Sequence, residues 1–214
     1  MNITNDIVTE YIQKFYVPID ENFSDLRQNA EKCKVPIILR ETESFLTFLL
    51  GLLKPKNVLE IGTAIGYSAM VFASFGANVI TIEKDQDMAK TAINNINTMG
   101  FSDKIKVLNG DGEVAIKENL DENNMFDLIF IDAAKSHYQR FLDAAIPFCS
   151  KNSIIVSDNV LLKAATASDQ FDPKGRFKTN IRKMRQYLEY ISDHPKLDTV
   201  ILSCGDGLAL SRYK

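Results

Sequence analysis

Apolar positions at the start of the chain recur at helical spacing. Ile7, Tyr11, Ile12 and Phe15 share one face of an opening helix. Helical structure is expected to about Lys34, punctuated by Pro18 and Pro36. Phe45, Phe48, Leu49 and Leu52 predict a second helix over 41–53. Then the pattern changes. Five short apolar runs follow: NVLEIG (57–62), NVITIEK (78–84), IKVLNGD (105–111), FDLIFID (126–132) and NSIIVSDNV (152–160). Helical segments separate them over 67–75, 86–99, 112–119 and 137–148. This alternation predicts strand–helix–strand units and a mostly parallel sheet. Strands that are apolar throughout fit a sheet covered on both faces. A further helix is expected over 180–192, and TVILS and LALSRY then flank CGDG, a signal for a closing antiparallel hairpin. The expected class is α/β, doubly wound, with N-terminal helices. No repeat, low-complexity segment or long linker divides the chain. We read one domain over 1–214, with a helical extension over 1–36 and the core over 37–214.

Composition narrows the classes. The chain has 214 residues, 45% hydrophobic and 25% charged, enough for one full core. Disordered, collagen-like and disulfide-scaffold chains are excluded. A net charge of −3 and a pI near 5.5 argue against a protein that coats nucleic acid non-specifically. Cys33, Cys149 and Cys204 are dispersed without a CxxC pair, so reduced thiols and no zinc site are expected. MNITNDIVTEYIQKF has no basic and apolar leader pattern, and no apolar run is long enough to span a bilayer. The expected location is cytoplasmic.

Doubly wound sheets bind ligands at the carboxyl ends of their strands. Acids stand at all five predicted ends: Glu60, Glu83, Asp111, Asp132 and Asp158, the last followed by Asn159. The first turn, Gly62-Thr63-Ala64-Ile65-Gly66-Tyr67-Ser68, is GxxxG rather than the GxGxxG of dinucleotide enzymes. Glu83 follows the first glycine by about 20 residues, the offset at which a carboxylate grips ribose hydroxyls. The combination suits a nucleoside without a pyrophosphate.

These residues carry a resemblance. VLEIGTAIGYSA, TIEKD, FDLIFIDAAKSHY and SDNV resemble the class I S-adenosylmethionine-dependent O-methyltransferases. More narrowly they resemble the metal-dependent branch of catechol and caffeoyl-CoA O-methyltransferases, from about Ile37 to the C-terminus. The resemblance implies a Rossmann-like, seven-stranded sheet. It implies that Ile38 lines the cofactor from the helix ahead of the first strand, with Glu60 near the methionine amino end. Gly62 and Ser68 fall in the cofactor loop, Glu83 on the ribose, and Asp111 and Gly112 beside the adenine. Asp132 serves both cofactor and metal. Asp132, Asp158 and Asn159 match the metal ligands, and Lys135 matches the catalytic lysine.

The chemistry of these residue types agrees. Two carboxylates and an amide form a hard oxygen set suited to Mg²⁺ or Mn²⁺. Asp158-Asn159 alone reads as a turn; Asp132 at the neighbouring strand end shifts the reading to a cation. Lys135 beside that cation is expected to have a lowered pKa, which a base needs. His137 reads as a helix-start residue.

Residues 174–185 hold six basic side chains and no acidic one: Lys174, Arg176, Lys178, Arg182, Lys183 and Arg185. A basic run containing an aromatic suits a phosphate backbone, and a solvated helix face is the alternative. With IDAAK and DNV, this stretch resembles the bacterial tRNA 5-hydroxyuridine methyltransferases. The implied partner is the tRNA anticodon loop, with 5-hydroxyuridine converted to 5-methoxyuridine. A small catechol is the alternative substrate, because both present two adjacent oxygens. LLKAATASDQFDPKG departs from the plant enzymes, which weighs against a CoA ester. A non-catalytic binding module would leave Asp132, Lys135, Asp158 and Asn159 unexplained. A nicotinamide oxidoreductase lacks its glycine motif. Relatives are often homodimers, and the apolar N-terminal helices offer an interface.

Overall fold

The computed structural model describes residues 6–214. Three helices lead: α1 (Asp6–Gln13), α2 (Glu21–Lys32) and α3 (Arg40–Leu53). Strands and helices then alternate: β1 (Asn57–Ile61), α4 (Tyr67–Ser74), β2 (Asn78–Glu83), α5 (Gln86–Thr98), β3 (Ile105–Asn109), α6 (Gly112–Asn119), β4 (Phe126–Ile131), α7 (Tyr138–Ala145) and β5 (Cys149–Asp158). The chain closes with α8 (Lys178–Asp193), β6 (Leu197–Leu202) and β7 (Leu208–Tyr213). Asp20 and Asp85 cap α2 and α5, each accepting from backbone amides of the first turn.

The seven strands form one Rossmann-like sheet in the order β3-β2-β1-β4-β5-β7-β6. β1 to β5 are parallel, and β7 runs antiparallel between β5 and β6. The expected hairpin is present, but its second strand docks first, beside β5. Alternation within each strand distributes side chains to two cores. Leu59, Ile61, Ile129, Ile131 and Ile155 face the layer of α6, α7 and α8. Val58, Leu128, Phe130 and Val156 face the layer of α2 to α5.

Two boundaries differ from the sequence reading. The helix expected over 137–148 is α-helical only as α7, with 3₁₀ turns on both sides. Pro147 has no amide hydrogen to extend the α ladder. β5 begins at Cys149, before its apolar run, with a register irregularity against β4 between Phe126 and Leu128. The three cysteines are free thiols. Among the described residues no helix is long and apolar enough to cross a membrane.

Candidate active site

The acids at the strand ends converge along the carboxyl edge of β1, β2, β4 and β5. Gly62 makes that convergence possible. Its φ is +104°, and a Cβ there would lie 2.0 Å from the Asp132 carbonyl oxygen. Only glycine lets the first loop pass so close to the end of β4. The Gly62 amide donates to the Ile82 carbonyl, and the Asp132 amide donates to the Ile61 carbonyl, both at 2.9 Å.

On the β1–β3 side the acids are tied to fixed donors. Glu83 accepts from the Ala64 amide at 2.8 Å and from the Asp85 amide at 2.8 Å. Asp111 accepts from Arg140 Nη2 at 2.7 Å, which holds its carboxyl below the usual range. Its Oδ1 is buried without a partner. Gly112 is buried at the start of α6. Glu60 is fully buried and accepts from Thr81 Oγ1 at 2.5 Å, while its Oε1 has no partner. Burial pushes the Glu60 carboxyl up to about 7; hydrogen bonds from Ser68 and Thr81 oppose the shift, and the charges of Asp132 and Glu83 add to it.

Ile38 is buried, but it lies in the connection between α2 and α3 rather than on a helix. Leu39, which follows it and precedes the first turn of α3, has extended backbone angles (φ −65°, ψ 157°). The Ile38 carbonyl accepts from Arg27 Nη2 at 3.0 Å. Arg27 also pairs with buried Glu43, which accepts from the Tyr67 hydroxyl at 2.9 Å. The sequence reading missed this network, because a charge in a polar helix normally faces water.

The β4–β5 side is organised differently. Lys135 Nζ donates to Asp132 Oδ1 at 2.6 Å, Asn159 Oδ1 at 2.8 Å and the Tyr138 hydroxyl at 2.8 Å. The Tyr138 hydroxyl donates to the Asp158 carbonyl at 2.9 Å. Asp158 is fully buried; its Oδ1 accepts from the Asn159 amide at 2.6 Å and its Oδ2 has no partner. Burial, reinforced by the Asp132 charge, raises the Asp158 pKa well above the ordinary carboxylate value. The three oxygen-bearing residues expected from sequence are therefore brought together with Lys135. Tyr138 was not foreseen: Lys135 lies in the 3₁₀ turn ahead of α7, outside the helix that the sequence pattern marks.

Lys135 is electrostatically tied to its protein neighbours. Burial works to lower its pKa, but Tyr138 and Asp132 outweigh it and the pKa is raised. The ammonium is the counter-ion of Asp132, so among the chain's own groups its charged form is favoured. His137 sits at the start of α7 with its ring edge-on to Phe141 at 6.0 Å, as a helix-start residue should.

Comparison with known proteins decides the class. The O-methyltransferase family pattern matches residues 17–214. This chain belongs to the O-methyltransferase family. It is 31% identical over 176 residues to the catechol O-methyltransferase of Mycobacterium tuberculosis, covering 78% of this chain and 76% of that protein. It is 28% identical over 174 residues to the caffeoyl-CoA O-methyltransferase of Populus kitakamiensis, covering 78% and 74%. The S-adenosylhomocysteine-bound methyltransferase of Podospora anserina superposes with a TM-score of 0.86 at 25% identity, covering 98% of this chain and 94% of that one. The enzyme is an S-adenosylmethionine-dependent O-methyltransferase of the caffeoyl-CoA/catechol type.

The basic stretch of this methyltransferase is divided. Arg176, Lys178, Arg182 and Lys183 are exposed on or just before α8, which packs on the Lys135–His137 turn. Arg185 is not a free surface charge. Its Nε donates to the Thr166 carbonyl at 2.8 Å and its Nη2 to Asp169 Oδ1 at 2.7 Å. It ties α8 to the segment after β5, because that segment leaves carbonyls that need donors.

Proposed function

We propose that the enzyme needs a divalent cation and methylates a hydroxyl beside a second oxygen. One observation carries the reading: Asp132 Oδ1 and Asn159 Oδ1 both reach the same cationic atom, Lys135 Nζ, at 2.6 and 2.8 Å, beside a buried Asp158 with an unpartnered oxygen. Oxygens that converge on an ammonium form a place of negative potential, and the donor set is hard. Asp132, Asp158 and Asn159 would hold Mg²⁺ or Mn²⁺. When bound, the ion supplies positive charge that acidifies a substrate hydroxyl and pushes the Lys135 pKa down. With its pKa so lowered, Lys135 Nζ would give up its own proton to solvent and then, as the neutral amine, accept the hydroxyl proton, with Tyr138 holding Nζ in place. The oxygen–methyl bond forms as the sulfonium–methyl bond breaks, its electron pair stays on sulfur, and S-adenosylhomocysteine leaves.

On the cofactor side, the unpartnered Glu60 oxygen suits the methionine ammonium. Gly62 and Ser68 shape the loop around it, with Ile38 and Asp132 alongside. Glu83 has lone pairs left for the ribose hydroxyls, and Asp111, with Gly112, serves the adenine. Turnover measured with Mg²⁺, with chelator and after Mg²⁺ is restored tests the cation. Turnover that ignores chelator and survives Asp158→Ala would overturn it.

For the substrate we read 5-hydroxyuridine in a tRNA anticodon loop. Support comes from the exposed cations Arg176, Lys178, Arg182 and Lys183 on or just before α8, the helix that packs on the Lys135–His137 turn. A phosphate backbone is their natural partner. The similarity to a catechol O-methyltransferase favours a second reading, a small catechol. Labelled methyl transfer to hydroxyuridine-bearing tRNA and to catechol, in parallel, separates them. The exposed Phe15, Phe48 and Leu52 on and around the N-terminal helices support a homodimer, which light scattering after size exclusion would test.

A further inference from the structure

The segment that follows β5 is held in an unfavourable backbone conformation. Asn159, Leu162, Lys163 and Ala164 have φ of +56°, +49°, +53° and +70°, four non-glycine residues in the left-handed region within one short loop. Such residues persist only where their surroundings over-determine them. Asparagine tolerates the region, but leucine, lysine and alanine do not do so readily.

The holding groups come from the CGDG turn between β6 and β7. Asp206 Oδ1 accepts from the Lys163 amide at 2.5 Å, and the Asp206 carbonyl accepts from the Leu161 amide at 3.0 Å. The Gly207 carbonyl accepts from the Val160 amide at 3.0 Å. The contact is close enough that a Cβ on Gly207 would lie 2.4 Å from Leu161 Cγ. The turn therefore grips the loop through three successive acceptors. Of these only the Asp206 carboxylate is a side chain, and it bonds inside the left-handed run.

Asn159 stands at the head of this loop, and its amide oxygen is one of those on Lys135. We propose that Asp206 is a positioning residue: by fixing the left-handed turn at 162–164 it sets Asn159 for the cation. The inference rests on the reading of Asn159 as a ligand. Asp206 makes no hydrogen bond to the converging oxygens; its charge reaches Asp132, Asp158 and Lys135, and its hydrogen bonds go to the loop backbone.

The test measures Mn²⁺ binding by paramagnetic resonance, with S-adenosylhomocysteine binding by calorimetry as the control. Asp206→Ala should weaken Mn²⁺ roughly 10-fold or more, the range for loss of a group that orients a ligand. S-adenosylhomocysteine affinity should stay within about twofold, since the loop is not part of the cofactor rim. Asp206→Asn keeps an acceptor oxygen and should retain most of the Mn²⁺ affinity. Lys163→Gly added to Asp206→Ala should restore part of the loss, because glycine adopts the left-handed conformation without being held. S-adenosylhomocysteine binding that falls along with Mn²⁺ binding would mark a general loss of stability and overturn the positioning role, and the double variant keeps the test usable if Asp206→Ala folds poorly. Unchanged Mn²⁺ binding in Asp206→Ala, while Asn159→Ala loses it, would overturn the positioning role alone. Unchanged Mn²⁺ binding in Asn159→Ala would overturn the ligand reading, and the positioning role with it.

Discussion

The two rims of this site solve different electrostatic problems. At the β1–β3 rim, Glu83 and Asp111 are each anchored by donors that belong to the scaffold: the Ala64 and Asp85 amides for one, Arg140 for the other. At the β4–β5 rim, the Asp132 charge adds to burial in raising the proton affinity of Asp158, and the balancing charge is a single lysine ammonium. A cofactor recognised through hydroxyls and amino groups is served by acceptors already fixed in direction. A cation is served by surplus negative charge that is only lightly compensated. Lys135 does that compensation, and in the proposed mechanism it is also the base.

The comparison can be broken by substitution. The largest effect is expected at the β4–β5 rim. Asp158→Ala should reduce cation-dependent turnover by roughly 100-fold or more, because losing a ligand exceeds the 10–100-fold typical of outer groups. Next comes Lys135→Ala, expected to lower kcat about 10²–10⁴-fold with little change in S-adenosylmethionine KM. Steady-state kinetics with both reactants varied would show whether the losses fall on kcat or on cofactor affinity. If Lys135→Ala raised cofactor KM instead, the division into two rims would fail.

At the β1–β3 rim the effect should be smaller and fall on binding. Glu83→Gln should weaken cofactor binding on the order of 10-fold, near the 1.5–3 kcal/mol of a hydrogen bond to a charged group. Calorimetry with S-adenosylhomocysteine would check this, and unchanged affinity would remove Glu83 from the cofactor. The Glu60 carboxyl sharpens the contrast through pH. Its pKa in the folded chain is about 7, raised from 4.5. The folded state therefore keeps the proton after the unfolded chain has lost it. The stability this contributes is complete below 4.5 and is lost as pH rises through 7. Glu60→Gln mimics the protonated form, so its denaturation midpoint should vary less than wild type over that window. The gain at pH 8 would be of order 2–3 kcal/mol. A wild-type pH profile in Glu60→Gln would show that the group is not the source. Last, Arg182→Glu with Lys183→Glu should flatten the salt dependence of tRNA binding, each lost phosphate contact lowering the slope by about 1. Catechol methylation should not change.

Much of this was legible along the chain. Continuous apolar runs placed the five parallel strands, because a sheet covered by helices buries both faces of its inner strands, and the CGDG turn signal placed the last two. The acids that end β1, β2, β4 and β5 could be picked out because they interrupt such runs. Arg185 could not be separated from Arg182 and Lys183 by spacing. Its partners, the Thr166 carbonyl and Asp169, lie across a loop with no periodic pattern. Arg27 and Glu43 were invisible for the same reason, since they pair across two helices.

The sequence by itself determined the alternation of elements and the identity of the acids that end the strands at the carboxyl edge. These are local properties, set by which side chains favour a strand, a turn or a cap. Only the tertiary structure decided that β7 docks between β5 and β6, that Ile38 lies in the connection between α2 and α3, and that Lys135 pairs with Asp132, Asn159 and Tyr138. Each of those depends on charges and backbones that are remote in sequence and meet at the end of folding, where burial makes their pairing strong.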